Sequence, residues 1–143
     1  MEYNLQRFIQ AQEGVYQKVI SELKSGKKRT HWMWFIFPQI EGLGKSSVSQ
    51  YYAIRNLEEA REYLSHSVLG ERLKECTRIL LDLEGLAVED IFGYPDNLKL
   101  KSSLTLFALV AGPDSIFERA LKKFFSGEKD QLTLKILQKG VPG

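Results

Sequence analysis

Two separated segments of the chain carry the side chains whose types suit the binding or reaction of a small ligand. The aromatic block, HWMWFIFPQ at residues 31–39, directly follows a basic cluster that ends at Arg29. The lysine block, LKLKSS at residues 98–103, alternates leucine with lysine before two serines. Cations, hydroxyls and indole rings together suit a small anionic ligand that also has a flat ring. We therefore predict a nucleotide-like ligand between the two blocks, with ADP-ribose or another NAD-derived group as one candidate.

Each candidate side chain has an expected role at this site. The cations lie near predicted helix starts, where free N–H groups and the helix dipole join them in holding an anion. The serine hydroxyls would orient that anion, and a tryptophan would stack on the ring. The predicted ligand-binding residues are Arg29, His31, Trp32, Trp34, Gln39, Lys99, Lys101, Ser102 and Ser103.

Every one of these side chains also has an ordinary structural explanation. Large aromatic residues in a dense apolar run are core residues more often than ligand platforms, and lysines are mostly solvated. Serine and threonine in helices commonly return hydrogen bonds to the preceding turn. The sequence leaves both explanations open.

His31 and Lys101 are the candidate catalytic pair if the ligand is a substrate. Histidine exchanges protons near neutral pH, and a lysine would stabilise developing negative charge. The expected reaction is then hydrolysis or group transfer, although the sequence does not decide whether the chain is an enzyme. No cofactor is predicted, and no metal, because His66 and Cys76 lack metal-ligand spacing with His31.

The GLGKSS stretch that follows the aromatic block looks at first like a phosphate-binding loop. Such a loop requires the spacing G-x-x-x-x-G-K-[ST], because the first glycine lets backbone N–H groups face the phosphates. That position is Gln39 here, and the neighbouring Pro38 has no N–H to donate. We therefore interpret Gly42 and Gly44 as turn residues, followed by a solvated Lys45.

The elements that must position both blocks are predicted to be helices, since apolar residues recur at i, i+3 and i+4 through most of the chain. We predict an all-α, compact single-domain bundle of roughly six to eight short and medium helices over residues 1–143. Gly14 is expected to divide the first apolar stripe into two helices. Residues 32–37 are expected to form a short buried helix or turn. The expected N-caps are Asn56, Asp96, Asp114 and Asp130.

Composition limits the classes of protein and partner. A net charge of +2 is too balanced to indicate a nucleic-acid binder. The longest purely apolar run, residues 32–37, is far shorter than the ~20 residues that cross a bilayer, so no membrane partner is expected. The single cysteine fits a reducing compartment, and the first residues carry no export signal. We expect a cytoplasmic protein.

Several stretches match one known family closely: RFIQAQ, KKRTHWMWFIFPQIEGLG, YYAI, AREYLSHSVLGERL, EDIFGYPDNLKLKSSLTLF and FFSG. Together they resemble the bacterial domain-of-unknown-function family numbered 1810, over about residues 5–137. The resemblance implies a compact all-α domain and includes both blocks among the matching segments, but it names no reaction. Some members carry a calpastatin label, which does not suit this chain because inhibitor repeats of that type are disordered and polar.

Two functions from other classes stay open. The chain could be a non-catalytic interaction module, such as a homodimer or a partner-binding scaffold, with the basic cluster steering an acidic partner. RNA binding is the weaker hypothesis, because it requires exposed tryptophans and an affinity that falls with salt. A ligand-induced rise in unfolding temperature would separate the ligand-binding hypothesis from the interaction module.

Overall fold

The computed structural model describes residues 3–139, where the regular structure is helical apart from one isolated bridge. Ten α-helices are present in this range: α1 (Gln6–Gln12), α2 (Tyr16–Lys24), α3 (Met33–Ile36), α4 (Ser47–Tyr51), α5 (Leu57–Ser65), α6 (Leu69–Asp82), α7 (Val88–Phe92), α8 (Asp96–Ala111), α9 (Ile116–Phe125) and α10 (Gln131–Lys139). The predicted all-α class is confirmed. The helices outnumber the six to eight expected because elements such as α4 and α7 have only five residues each, too few to show a hydrophobic period. Helix α3 lies within residues 32–37, where a short buried helix or turn is expected, and it buries Met33 and Ile36.

Gly14 separates the first two helices, as predicted. Its φ of +77° lies in the left-handed region that glycine adopts without strain, so the chain turns between α1 and α2. The apolar stripe is thereby split into two faces, which bury Phe8 from α1 and Val19 and Leu23 from α2. Helix α2 then packs along α6.

The central position of α8 explains why it is apolar on most sides. It packs against α5, α7, α9 and α10, and its residues 102–108 are all buried. Burial of a large apolar side chain such as Leu104 or Phe107 contributes roughly 1.5–3 kcal/mol. Gly112, with φ of +102°, ends the helix as predicted. None of the helices within residues 3–139, α8 included, is long and apolar enough to cross a membrane.

Two of the four predicted N-caps are confirmed by hydrogen bonds. At the start of α5, Asn56 Oδ1 accepts from the backbone N of Glu59 at 2.9 Å. Before α10, Asp130 Oδ2 accepts from the backbone N of Thr133 at 3.0 Å and from its hydroxyl at 2.6 Å. Each cap satisfies an N–H group that the helix leaves without an internal partner.

The other two predicted N-caps are wrong by one residue. Ser115, not Asp114, caps α9, and its Oγ accepts the N–H three residues further on at 3.3 Å. Helix α8 has Pro95 as its N-cap, and Asp96 is its first helical residue. The Asp96 carboxylate lies 2.9 Å from Lys28 Nζ, so a cation from a distant segment competes with local capping.

Helices α5 and α6 meet at a close corner. His66 Nδ1 accepts from the backbone N of Val68 at 3.1 Å and of Leu69 at 3.3 Å. Gly70 lies so near the end of α5 that a Cβ there would stand 1.9 Å from the carbonyl O of Leu64. Only glycine fits this corner.

Residues 41–53 form a segment whose two ends are joined by a backbone bridge. The backbone N of Ile54 donates to the O of Gln39, and the N of Glu41 donates to the O of Ile54, both at 2.8 Å. These bonds form the isolated parallel bridge between Ile40 and Ile54. The bridge holds this segment, which contains GLGKSS and α4, beside the end of the aromatic block.

Arg7 anchors the far end of the same segment from α1. Its Nε donates to the carbonyl O of Tyr51 and its Nη2 to that of Ala53, both at 2.8 Å. Its Nη1 lies 3.0 Å from Glu59 Oε2, and both side chains are buried. Breaking a buried ion pair by removing one partner is strongly destabilising, so residues 51–53 have a firm attachment to the core.

Candidate ligand-binding site

The basic edge of the aromatic block already holds an anion, the carboxylate of Glu22. Its Oε1 accepts from the backbone N of Arg29 at 2.7 Å and of Thr30 at 3.0 Å, and from Trp32 Nε1 at 3.0 Å. Its Oε2 accepts from Thr30 Oγ1 at 2.7 Å. Burial would raise the pKa of Glu22, but these hydrogen bonds outweigh it and lower the pKa to about 2.

The helix start expected at this edge, near Thr30, is wrong. Helix α3 begins at Met33 rather than near Thr30, and it has only four residues. The N–H groups expected to receive an external anion donate to Glu22 instead. The chain supplies its own carboxylate where the sequence indicated a need for negative charge.

The aromatic and lysine blocks meet in a cleft, called the first pocket below. It has a volume of about 480 Å³ and lies between the aromatic block, residues 43–49 and the start of α8. Of the predicted ligand-binding residues, it brings together Trp34, Gln39, Lys99, Lys101 and Ser102. Five of the nine predicted residues thus share one concave surface.

Three further lining residues come from a segment predicted only to be a turn. Lys45, Ser46 and Ser49 extend the first pocket with one cation and two hydroxyls. The spacing argument excludes a Walker-type loop, but it does not exclude these residues from another kind of site. The signal was present in the sequence, as a lysine and serines close after the aromatic block.

A close contact between Gly44 and Ser49 shapes this turn. A Cβ at Gly44 would stand 2.4 Å from Ser49 Oγ, so a side chain there would push Ser49 away. Ser46 Oγ accepts from the backbone N of Ser49 at 3.1 Å and lies 2.8 Å from its Oγ. Gln50 Nε2 donates to the carbonyl O of Lys45 at 2.9 Å. These bonds hold the lysine and both serines in a compact arrangement at the pocket wall.

The lysines of the first pocket differ in how far they are neutralised. Lys101 Nζ lies 3.0 Å from Glu128 Oε1, whose side chain is 70% exposed. Lys99 Nζ lies 3.4 Å from Asp96 Oδ1. Lys45 forms no ion pair with any residue in the range 3–139. The pocket therefore has at least one cation available to a ligand without any exchange of partners.

Asp130 contributes a carboxylate to the first pocket, at the start of α10. Its Oδ2 already accepts two hydrogen bonds from Thr133. Its backbone N donates to Thr105 Oγ1 at 2.9 Å, so the start of α10 is tied to α8. Three lysines and one carboxylate line the pocket. Because Lys99 and Lys101 have carboxylate partners, Lys45 is the lining lysine without an ion pair among residues 3–139.

Trp34 is the aromatic wall of the first pocket. It is half-buried, and Lys99 Nζ lies 5.2 Å from its ring centroid, within cation–π range. The predicted alternative for Trp34, a fully buried core position, does not apply. Trp34 is thus the tryptophan of the aromatic block that a ligand can reach.

Four predicted residues lie outside the first pocket, namely Arg29, Trp32, Ser103 and His31, the last of which lines a separate pocket described below. Trp32 is only 2% exposed, and its ring packs against Phe37 and Phe92 in the core. Arg29 is exposed and donates from Nη1 to Ser25 Oγ at 3.3 Å. Ser103 is fully buried in α8, and its hydroxyl has no hydrogen-bond partner among the described residues.

His31 lines a separate depression, called the second pocket below, of about 250 Å³. This pocket also contains Tyr94 and Asp96, and it shares Trp34, Pro95 and Lys99 with the first. Lys101 does not line it. The two candidate catalytic residues therefore lie in adjoining pockets rather than facing each other in one.

Cys76 is a structural residue, and the part of the chain that the structure describes has no metal-type cluster. Cys76 is buried among apolar side chains, and burial raises the pKa of its thiol to about 12, so it is protonated and packs as a small apolar residue. Within residues 3–139, no three His, Cys, Asp or Glu side chains lie together in a way that could hold a metal ion.

Comparison with known proteins identifies relatives without naming an activity. A family model described as "Protein of unknown function (DUF1810)" matches residues 2–137. The structure is similar to the crystal structure of the conserved hypothetical protein Rv1873 from Mycobacterium tuberculosis, with 47% sequence identity and a TM-score of 0.93. The likeness covers 95% of this chain and 97% of that one. None of the curated proteins compared with the chain matches it.

Proposed function

Because the chain belongs to the DUF1810 family, whose members are described only as proteins of unknown function, we propose its function from its own geometry. The chain binds a small anionic, nucleotide-like ligand in the first pocket, between the aromatic block and the lysine block. The observation that carries this proposal is the convergence of Lys45, Lys99 and Lys101 on one cleft.

The charges of the pocket favour an oxyanion such as a phosphate. Lys45 has no counterion among the described residues, so a phosphate would supply one. The ion pair between Lys101 and the exposed Glu128 is weak, because solvent screens such pairs, so a phosphate can compete with Glu128 for Lys101. The Ser46 hydroxyl accepts from the backbone N of Ser49 and can donate its proton to a phosphate oxygen, whereas the Ser49 hydroxyl already donates to the carbonyl O of Ser46 at 3.0 Å.

The wall of the pocket supports a ligand that also has a flat ring. Trp34 presents an indole beside Lys99, and aromatic side chains stack on rings of nucleotide type. ADP-ribose and related NAD-derived groups combine such rings with phosphates, so they are the first candidates. The single, buried Cys76 supports a cytoplasmic location for this function, where thiols stay reduced.

A reaction at this site would require a ligand that reaches both pockets. His31 lines the second pocket and Lys101 lines the first. A general acid–base must lie within hydrogen-bond reach of the reacting atoms. Our proposal is therefore a binding function, and hydrolysis or group transfer by His31 and Lys101 depends on such a spanning ligand.

The second candidate function is a non-catalytic interaction module, such as a homodimer. The observation that favours it is the exposure of Leu98 and Leu132 on the first pocket, at 46% and 60%. Apolar side chains beside lysines suit an acidic, partly apolar protein surface. RNA binding has less support, because it needs exposed tryptophans, whereas Trp32 is 2% exposed and Trp34 is half-buried.

A thermal-unfolding screen tests the ligand-binding proposal. The compounds are inorganic pyrophosphate, nucleotides, NAD derivatives including ADP-ribose, and sugar phosphates. A ligand at a hundredfold excess over its dissociation constant stabilises the native state by about 2.7 kcal/mol, a rise of several degrees in unfolding temperature. We expect this rise with at least one phosphate compound, and we expect Lys45→Ala and Lys101→Ala to reduce it.

Lys122→Ala is the matched control, because Lys122 is an exposed lysine of α9 that does not line the pocket. It should leave the shift unchanged. A panel in which no compound stabilises the protein, together with a mass that rises with concentration, would replace the proposal with the interaction module. If the rise in unfolding temperature is unchanged in both pocket variants, the ligand binds elsewhere on the molecule.

A further inference from the structure

The second pocket adjoins the first without being part of the function proposed above. The two pockets share Trp34, Pro95 and Lys99 in their walls, so a molecule in one reaches the border of the other. The second pocket has a volume of about 250 Å³, far more than a single water needs. It is large enough to take one part of a ligand whose other part lies in the first pocket.

The charges of the second pocket are largely compensated within the protein. Asp96 Oδ2 lies 2.9 Å from Lys28 Nζ, and its Oδ1 lies 3.4 Å from Lys99 Nζ. The Lys28 side chain is only 7% exposed, so solvent does not separate this pair. The Asp96 carboxylate would repel a phosphate placed here, whereas it would not repel an uncharged group. The second pocket therefore suits a neutral part of a ligand.

The walls of the second pocket are aromatic. Trp34 is half-buried there. Tyr94 is 81% exposed, more than any other large apolar or aromatic side chain in residues 3–139. Exposed aromatic rings are the platforms on which nucleic-acid bases stack. His31 and Asp96, in the same wall, supply polar atoms for the edge of such a ring.

Lys99 marks the border between the neutral and the cationic part of the cleft. Its Nζ lies 5.2 Å from the Trp34 ring centroid and 3.4 Å from Asp96 Oδ1, and the residue lines both pockets. A ligand that crosses this border passes from aromatic walls to Lys45 and Lys101. The walls of the cleft thus suit a ligand with a ring at one end, a connecting group near Lys99 and an anion at the other end.

We propose that the second pocket is a ring-binding subsite and that the ligand of the cleft is a nucleoside phosphate. Its base lies against Trp34 and Tyr94, and its phosphate lies beside Lys45 and Lys101. The inference rests on the proposed function for the position of the phosphate, and it adds a position for the base. Free oxyanions and simple sugar phosphates leave the second pocket empty, so they bind more weakly.

Titration calorimetry on the full chain tests this assignment, with AMP and ribose 5-phosphate as probes. The two compounds carry the same phosphorylated ribose, and AMP adds the base. We expect AMP to bind at least tenfold more tightly than ribose 5-phosphate. We expect Tyr94→Ala to remove most of that difference while leaving the affinity for ribose 5-phosphate unchanged. The exposed position of Tyr94 keeps the substitution out of the core.

Tyr51→Ala is the matched control, because Tyr51 is an exposed tyrosine of α4, at 55%, that lines neither pocket. It should change neither affinity. Equal binding of the two probes, an unchanged preference for AMP in Tyr94→Ala, or an equal loss for both probes would each overturn the ring subsite and leave the phosphate site standing. Binding of neither probe would overturn both the subsite and the proposed function.

Discussion

At the scale of single residues, Glu22 provides the negative charge that the N–H donors before the aromatic block bind. The basic edge before the aromatic block concentrates N–H donors, and a buried carboxylate that accepts several of them stays ionised. Glu22 accepts four hydrogen bonds, two of them from backbone N–H groups. The backbone N–H groups of this edge are therefore occupied by a carboxylate of the protein itself.

We predict that Glu22→Gln lowers the stability of the protein at neutral pH by roughly 3 kcal/mol. The folded-state pKa of Glu22 is about 2, below its ordinary value of 4.5. Its contribution is therefore complete above about pH 4.5 and is lost as the pH falls towards 2. Urea unfolding followed by circular dichroism at pH 7, 5 and 3 measures this. The variant should lose less stability than the native protein on acidification.

Glu84→Gln provides the control for removing one carboxylate charge. Glu84 is exposed, and such surface substitutions usually change stability by less than about 0.5 kcal/mol. If the native protein and Glu22→Gln respond to acid in parallel, the carboxylate of Glu22 does not have the depressed pKa assigned to it.

At the scale of elements, sequence patterns predicted the long helices better than the short ones. The end of α8 at Gly112 follows from local residues, as does the cap of α5 at Asn56. The cap at Asp96 was wrong because Lys28, far away in the chain, pairs with that carboxylate. A helix of four or five residues such as α4 has no period to detect, so tertiary contacts alone reveal it.

The corner between α5 and α6 gives a prediction at this scale. Gly70→Ala should lower the free energy of unfolding by about 3 kcal/mol, because the added Cβ would overlap the carbonyl O of Leu64 at 1.9 Å. Alanine is otherwise the better helix former by about 1 kcal/mol, so the expected sign opposes helix propensity. Chemical denaturation measures the change.

Glu71→Ala in the next position of α6 is the comparison, since Glu71 is exposed and its change to alanine should be nearly neutral. An unchanged or raised stability of Gly70→Ala would show that the two helices are free to move apart at this corner.

At the scale of the whole molecule, the first pocket is assembled from segments that are distant in sequence. The aromatic block, the turn at residues 43–49, the start of α8 and the start of α10 all contribute. The residue types of two of these segments could be recognised in the sequence. The lysine and serines of the turn are also visible in the sequence, but their position on the pocket is not, because the bridge at Ile40 and the anchor at Arg7 are long-range contacts without a local pattern. The contribution of α10 has no signal in the sequence.

From this assembly we predict that α10 supports the proposed ligand site indirectly, because it packs against the turn that carries Lys45. Ile136 lies against Gly42, where a Cβ would stand 3.3 Å from its Cδ1. Ile136→Ala should cost about 2 kcal/mol of stability and should also weaken pyrophosphate binding about tenfold, because the turn that carries Lys45 loses its backing. Unfolding and calorimetric titration measure the two effects.

Leu137→Ala separates support of the turn from general destabilisation. Leu137 is a half-buried neighbour on α10 that packs on the same core, so its substitution should cost similar stability while pyrophosphate affinity stays near the native value. Equal losses of affinity in both variants would mean that α10 acts through overall stability rather than through the turn.

The different surroundings of the two tryptophans give the protein a pair of intrinsic fluorescent reporters. Trp32 is sealed in the core with its indole N–H on an ionised carboxylate, so its emission changes when the chain unfolds. Trp34 lies in the wall common to both pockets, so we expect its emission to change if the proposed ligand binds there. A Trp34→Phe variant thus keeps the unfolding signal and loses the binding signal. Ligand screening and stability measurements can share one label-free optical assay.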